Sequence, residues 1–352
     1  MFRSLVAQLL ISVIFEDGKH AVRARSIRGD KIIKTYEKSF EDKKKLLKYV
    51  DNLSQNFQIY YISAFFDASE QGLAPVSSAG ELEKFGVSVK NMQSISLLNA
   101  QIYAPKASIR QYERLFEDYG ELDLLFSPFM LLYHCIDTKI KLKKDKNTLF
   151  VFRHSNYLAM MICEDKRIAY GKFFDLSAFE ENLDGEEINL DDIDTNAPDT
   201  EAGEQVAGML RESASENSGE NSANSSENSS EAAQLSANPL QAVDLEKEQA
   251  ANDDTSEVLL DESKHIASSA MDLSSFGGDM NMCACIFDGV QDFYKNPLYN
   301  GKFIDELVFF DSEDISQAVL DYVEGEIFIK PEVVKIDTLN LMNDLMRREL
   351  QI

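Results

Sequence analysis

Apolar and polar residues alternate along HAVRARSI (20–27) and KIIKTYEKSF (31–40), whereas AQLLISVIF (7–15) is an almost unbroken apolar run. Alternation at period two marks a strand with one buried face, and a short continuous run fits a strand buried on both. The glycine-containing turns EDGK and RGD between them predict a three-stranded antiparallel meander. The period then lengthens: Leu46, Leu47, Val50 and Leu53 share one helical face, and Ser39 with Asp42 three residues on resembles a capping box. QIYYISAFF (58–66) returns as a buried strand.

The pattern then recurs with variation. SISLLNAQIYA (94–104) reads as one strand, followed by a helix capped at Ser108, carrying Ile109, Tyr112, Leu115, Phe116 and Tyr119, and stopped by Gly120. LDLLFSPFMLLYHCID (122–137) supplies a strand, a Ser-Pro break and a buried helix. TLFVFRHSNYLAMMI (148–162) is two apolar runs around the polar turn Arg153-His154-Ser155-Asn156, and CEDKR leads into IAYGKFF as a third antiparallel strand. Near the C-terminus, CACIFDGVQDFYKNP has helical spacing, FIDELVFFD is a strand, ISQAVLDYVEG is a helix ended at Gly325, and PEVVKID is a strand. A last helix, capped by Asp337, carries Leu339, Met342, Leu345 and Met346 and ends in Arg347 and Arg348, charges that suit a helix C-terminus.

Charge separates one segment from the rest. The 352-residue chain has a formal charge of -26, yet residues 178–280 hold 26 acids against 3 bases, so the remainder is close to neutral. From 184 to 275 there is no aromatic residue, and Glu, Asp, Ser, Asn, Ala and Gln dominate; such a stretch buries too little apolar surface to offset the entropy of ordering and is expected to be a disordered insertion. QVAGML (205–210) and SEVLLDE (256–262) are its two apolar islands. A near-neutral body argues against nucleic acid as a partner, and KIKLKKDK (139–146) is read as a solvated edge.

Candidate chemistry is sparse. Cys135, Cys163, Cys283 and Cys285 lack metal-ligand spacing, the last two falling on one face of a predicted strand, and His20, His134, His154 and His265 are too scattered to complete a zinc site. There is no P-loop, no Gly-x-Ser-x-Gly elbow and no His-Glu-x-x-His helix. The apolar run from Leu5 to Phe15 lacks a leader's cleavage pattern and is read as a first strand, and no run reaches the ~20 residues that span a bilayer.

Two such meanders, each followed by helices and strands, resemble the actin-like ATPase fold, a ribonuclease H-like two-lobed α/β architecture with mixed sheets. The order of elements is most similar to the PilM family of type IV pilus machines and the cytoplasmic domain of GspL from type II secretion. The stretches NAQIYAPKASIRQYERLFEDYGELDLLFSP, NTLFVFRHSNYLAMMICEDKRIAYGKFFDL and FIDELVFFDSEDISQAVLDYVEGEIFIKPEVVKID carry this resemblance. It implies a first lobe over 1–93, a second lobe begun over 94–183 and completed over 276–352, with the acidic insertion at 184–275 between.

The resemblance also implies three nucleotide-binding places, and the residues depart from the family pattern at each. In the second phosphate hairpin Val151 and Arg153 stand where a magnesium-positioning Asp and a Gly belong, beside Ser155 and Asn156. The first hairpin has no carboxylate inside its strand, and Glu16, Asp17 and Gly18 read as ordinary turn residues. Asp311 and Ser312, with Asp314 beyond, replace the glycine-rich adenosine loop. The expectation is no catalytic residue, no metal and no cofactor, and a scaffold on the cytoplasmic side of a pilus, secretion or DNA-uptake machine. Its implied partners are a bitopic inner-membrane platform protein, through which it reaches the membrane, and a motor ATPase. The alternatives are a functioning ATP-Mg site in the same fold, or an adaptor acting through its acidic segment.

Overall fold

A computed structural model describes residues 6–16, 18–177 and 278–351 of the chain. The first meander forms as β1 (Gln8–Glu16), β2 (Lys19–Arg28) and β3 (Lys31–Phe40), followed by α1 (Lys43–Ser54) and β4 (Ile59–Phe65). Asp42 caps α1 by itself, its carboxylate accepting from the Lys44 and Lys45 amides. A small sheet follows: β5 (Gly72–Ala74), β6 (Met92–Leu97) and β7 (Ala100–Pro105), in the order β5-β7-β6. Then come α2 (Lys106–Phe116), β8 (Leu124–Phe126) and α3 (Pro128–Lys139). The second half repeats this plan with β9 (Asn147–His154), β10 (Tyr157–Glu164), β11 (Arg167–Asp175), α4 (278–295), β12 (Glu306–Asp311), α5 (Gln317–Ile327), β13 (Pro331–Lys335) and α6 (Thr338–Glu349).

Strand order fixes the fold. The first sheet runs β3-β2-β1-β4-β8 and the second β11-β10-β9-β12-β13. In each, the first three strands are antiparallel neighbours while the last two run parallel to the first. The same three-strand meander and the same helix–strand alternation therefore occur twice, which is the doubled topology of the actin-like fold.

The apolar pattern follows from where the layers lie. Leu9, Ile11 and Val13 of β1 face outward onto Leu46, Val50 and Phe116 of the helices, while Leu10 and Ile14 face inward. β9 divides in the same way, with Leu149 and Val151 packed on Ile286 and Phe293 of α4, and Phe150 and Phe152 turned to the inner core. Strands buried on both faces are what an unbroken apolar run encodes. The inner core joins the lobes because each half's last helix covers the other half's sheet: α3 packs on β9 and β10, and α6 on β1, β2 and β4. Arg23 ties this crossing, reaching Glu37 at 2.7 Å and the α6 cap Asp337 at 2.5 Å, and Arg348 of α6 reaches Asp137 of α3 at 2.6 Å.

Several sequence expectations change. SISLLNAQIYA is a hairpin, β6 and β7, because Leu98 takes a left-handed φ of 54° and turns the chain. That hairpin spans the lobe boundary read at residue 93, and β8 adds to β4, so the first lobe extends through the 120s and the second sheet starts at β9. α2 starts two residues before Ser108. α5 passes through Gly325 and ends at Phe328, whose φ of 60° makes the left-handed cap usually left to glycine. Cys283 and Cys285 lie on helix α4, not on a strand. The segment read as an insertion, with its two apolar islands, lies outside the described residues.

Candidate functional site

The carboxyl ends of the central parallel strands of both sheets converge, and in open α/β sheets that is where ligands bind. Glu16 ends β1, Phe65 ends β4, His154 ends β9, Asp311 ends β12, and Thr338 opens α6. The first hairpin turn is short, with Glu16 paired to Lys19 and Gly18 at φ 71°; the Asp17 of the sequence reading lies outside the described residues. The second is equally short, with His154 paired to Tyr157 and Ser155 at φ 49°.

Period two decides what enters this place. On β9, Phe150, Phe152 and His154 share the inner face, and Val151 and Arg153 the outer one. Val151 is fully buried in the outer core, and Arg153 points to Asp279 at the start of α4, at 3.6 Å. The two positions identified from the sequence therefore face away from the seam. The side chain inside it is His154, which the sequence reading passed over although the alternation already placed it with Phe150 and Phe152.

His154 is 6% exposed and is held from four elements. Its Nε2 lies 3.1 Å from Glu16 Oε1, within ion-pair range but off the line of a good hydrogen bond. Its Nδ1 lies 2.9 Å from Ser312 Oγ and 3.1 Å from Thr338 Oγ1, and its ring meets Phe65 edge-on at 5.0 Å between centroids. The Ser312 hydroxyl also donates to the Arg153 carbonyl at 3.1 Å. Asp311, 1% exposed, is spent on its own loop, accepting from the Glu313 and Ile315 amides. Asn156, in the second turn, is exposed and its carbonyl accepts from the Leu176 amide.

Beside the seam opens a cleft of about 890 Å³ lined by Phe15, Glu16, His20, Lys43, Tyr112 and Tyr157, with Asp67 in its wall. Asp67 accepts from the Tyr112 hydroxyl at 2.5 Å and from Tyr157 at 3.3 Å. Burial pushes the Asp67 carboxyl above its ordinary value, the tyrosine hydrogen bonds opposing the shift only in part. Burial likewise pushes up the Cys163 and Cys285 thiols, to about 12, as expected of inert structural cysteines. Among the described residues no group of His, Cys, Asp and Glu is placed to hold a metal, and no helix is long and apolar enough to cross a membrane.

Solved structures are similar to this chain at low identity. A Bacteroides thetaiotaomicron protein described as having an actin-like ATPase fold and unknown function is 12% identical over 52% of this chain and 77% of its own, with a TM-score of 0.33. The PilM-PilN type IV pilus biogenesis complex is 8% identical, covering 92% and 88%, at 0.49. The ethanolamine utilization protein EutJ from Carboxydothermus hydrogenoformans is 7% identical, covering 95% and 87%, at 0.37. No curated protein matches the chain. A family described as Domain of unknown function (DUF8569) matches residues 6–133. A second matches 149–351, more than half of the chain, which therefore belongs to the family described as Domain of unknown function (DUF8341).

Proposed function

We propose that this protein is a non-catalytic actin-like scaffold of a type IV pilus, type II secretion or DNA-uptake machine, held at the inner membrane by a bitopic platform protein and engaging a motor ATPase. His154 is the observation that carries the reading. An actin-like ATPase needs room between its two hairpins for phosphates, a carboxylate for hydrated magnesium and glycines that let backbone amides approach. Here the space between the hairpins is occupied by an imidazole whose Nδ1 meets Ser312 and Thr338 and whose Nε2 lies 3.1 Å from Glu16. The nearest charged side chain on the second hairpin, Arg153, faces the other way. A fold without nucleotide chemistry acts through its surfaces.

The surface assigned to the platform protein is the groove of about 250 Å³ between β6 and β8. Both are edge strands, and Phe66, Ile95, Ile109, Leu122 and Leu125 line the groove between them. Two open edges over an apolar floor suit a short extended tail, whose backbone an edge strand can pair. The test is crosslinking purification of the full chain from its native cells, in wild type and in an Ile95→Asp/Leu125→Asp variant. Wild type is expected to bring down a bitopic inner-membrane protein whose cytoplasmic tail, as a synthetic peptide, binds wild type and not the variant. Recovery of no membrane protein or assembly ATPase, or a tail that binds both chains alike, would sink the proposal.

A further inference from the structure

β3 is the last strand of the first sheet, paired with β2 on one side and, among the described residues, with no strand on the other. Eight of its ten residues are exposed, and Ile32 and Ile33 stand 49% and 55% accessible where a bulge interrupts the pairing with β2. The other edges of the two five-stranded sheets are shorter or covered: β8 has three residues, β13 has five and opens with proline, and β11 has Leu73 of β5 packed against Gly171. From Lys34 to Phe40 the pairing with β2 is regular, a bulge at Ile33 ending it, and such an edge is a template for another strand.

Its side chains say which strand. Lys34 and Lys38 share the face toward α1, lying 4.5 Å over Tyr36 and 5.0 Å over Phe40. The opposite face presents Ile32 and Thr35, paired to Ile27 and Arg25, while Ile33 is the extra residue of a bulge and Lys31, paired to Arg28, lies on the lysine face. α1 adds the exposed Lys43, Lys44, Lys45 and Lys48, so residues 31–48 hold seven lysines against three acids in a body otherwise near neutral. We infer that the β3 edge receives an extended acidic segment of a partner protein as an added strand. Alternating acidic and apolar residues would set the acids toward Lys34 and Lys38 and the apolar residues on the opposite face, toward Thr35 and Ile32. A phosphate backbone or an anionic bilayer would use the lysines but leave the ladder unpaired, and a second copy would set lysines against lysines. This surface is independent of the groove between β6 and β8, so either can fail without the other.

The probe is a fluorescein-labelled eight-residue peptide alternating glutamate and valine, titrated against the full chain by anisotropy at low salt. Saturable binding is expected, weakened at least tenfold in a Lys34→Glu/Lys38→Glu variant whose urea midpoint matches wild type. A peptide with alternate backbone nitrogens methylated keeps the charges and loses half the ladder, and is also expected to bind at least tenfold more weakly. Equal binding by the methylated peptide, or no loss in the variant, would overturn the inference. So would phosphatidylserine vesicles or single-stranded DNA binding as tightly as the peptide, or self-association that the variant abolishes.

Discussion

The third strands of the two meanders occupy the same place in the same topology and have opposite surroundings. β11 is buried at Ile168, Tyr170, Gly171 and Phe173 and carries the small sheet against Gly171, where an added Cβ would stand 2.6 Å from Leu73. Among the described residues β3 has no strand outside it. A duplicated fold thus keeps its backbone plan while divergence acts on what covers it. The hairpins diverge in the same manner: one ends in an open glycine turn, and the other sends an imidazole into the seam.

The comparison can be broken at its core first. Phe150, fully buried and stacked on Phe310 at 6.2 Å, is expected to cost about 3–5 kcal/mol when replaced by alanine, read by urea unfolding. Ile33→Ala on the open strand is expected to change stability by less than about 0.5 kcal/mol; similar values for the two would erase the asymmetry. Next, His154→Ala removes a buried group hydrogen-bonded to Ser312 and Thr338 and set against Glu16 and Phe65 of the first lobe, and is expected to cost about 1–3 kcal/mol, with faster amide exchange at the ends of β1 and β9.

Gly18→Ala, in an open turn at φ 71°, is expected to cost about 1 kcal/mol from backbone strain alone, since no atom lies within 4 Å of the new Cβ. The smallest effect is a pH dependence. Burial raises the Asp337 carboxyl, but the Arg23 hydrogen bond and charge and the Asn340 amide outweigh it, so the group sits below its ordinary value of 3.8. A depressed carboxyl contributes stability above its unfolded value and loses it as pH falls through the folded one. The stability gap between wild type and Arg23→Met should therefore narrow as pH is lowered from 5 toward 3, and a constant gap would contradict the pairing.

Much of this was legible in the sequence, for reasons particular residues make plain. The runs 7–15 and 148–162 encode strands buried on both faces, and Leu46, Leu47 and Val50 encode a one-sided helix; all three follow from which side meets water. The hairpin at Leu98 was not legible, because leucine carries no turn signal, yet it takes a φ of 54° at an exposed turn. Nor was the α5 end, where glycine stands inside the last turn and phenylalanine makes the cap. At the seam, matching positions to a family pattern drew attention to Val151 and Arg153, whereas counting by two along β9 would have selected His154.

The central claim is that the seam is filled by the chain's own side chains rather than by nucleotide. Isothermal titration of the full chain with Mg-ATP, alongside thermal unfolding at millimolar Mg-ATP, tests it most directly. No heat of binding and an unchanged unfolding temperature are expected. A saturable isotherm, with the roughly 2.7 kcal/mol of added stability that a ligand at 100 times its dissociation constant confers, would contradict it.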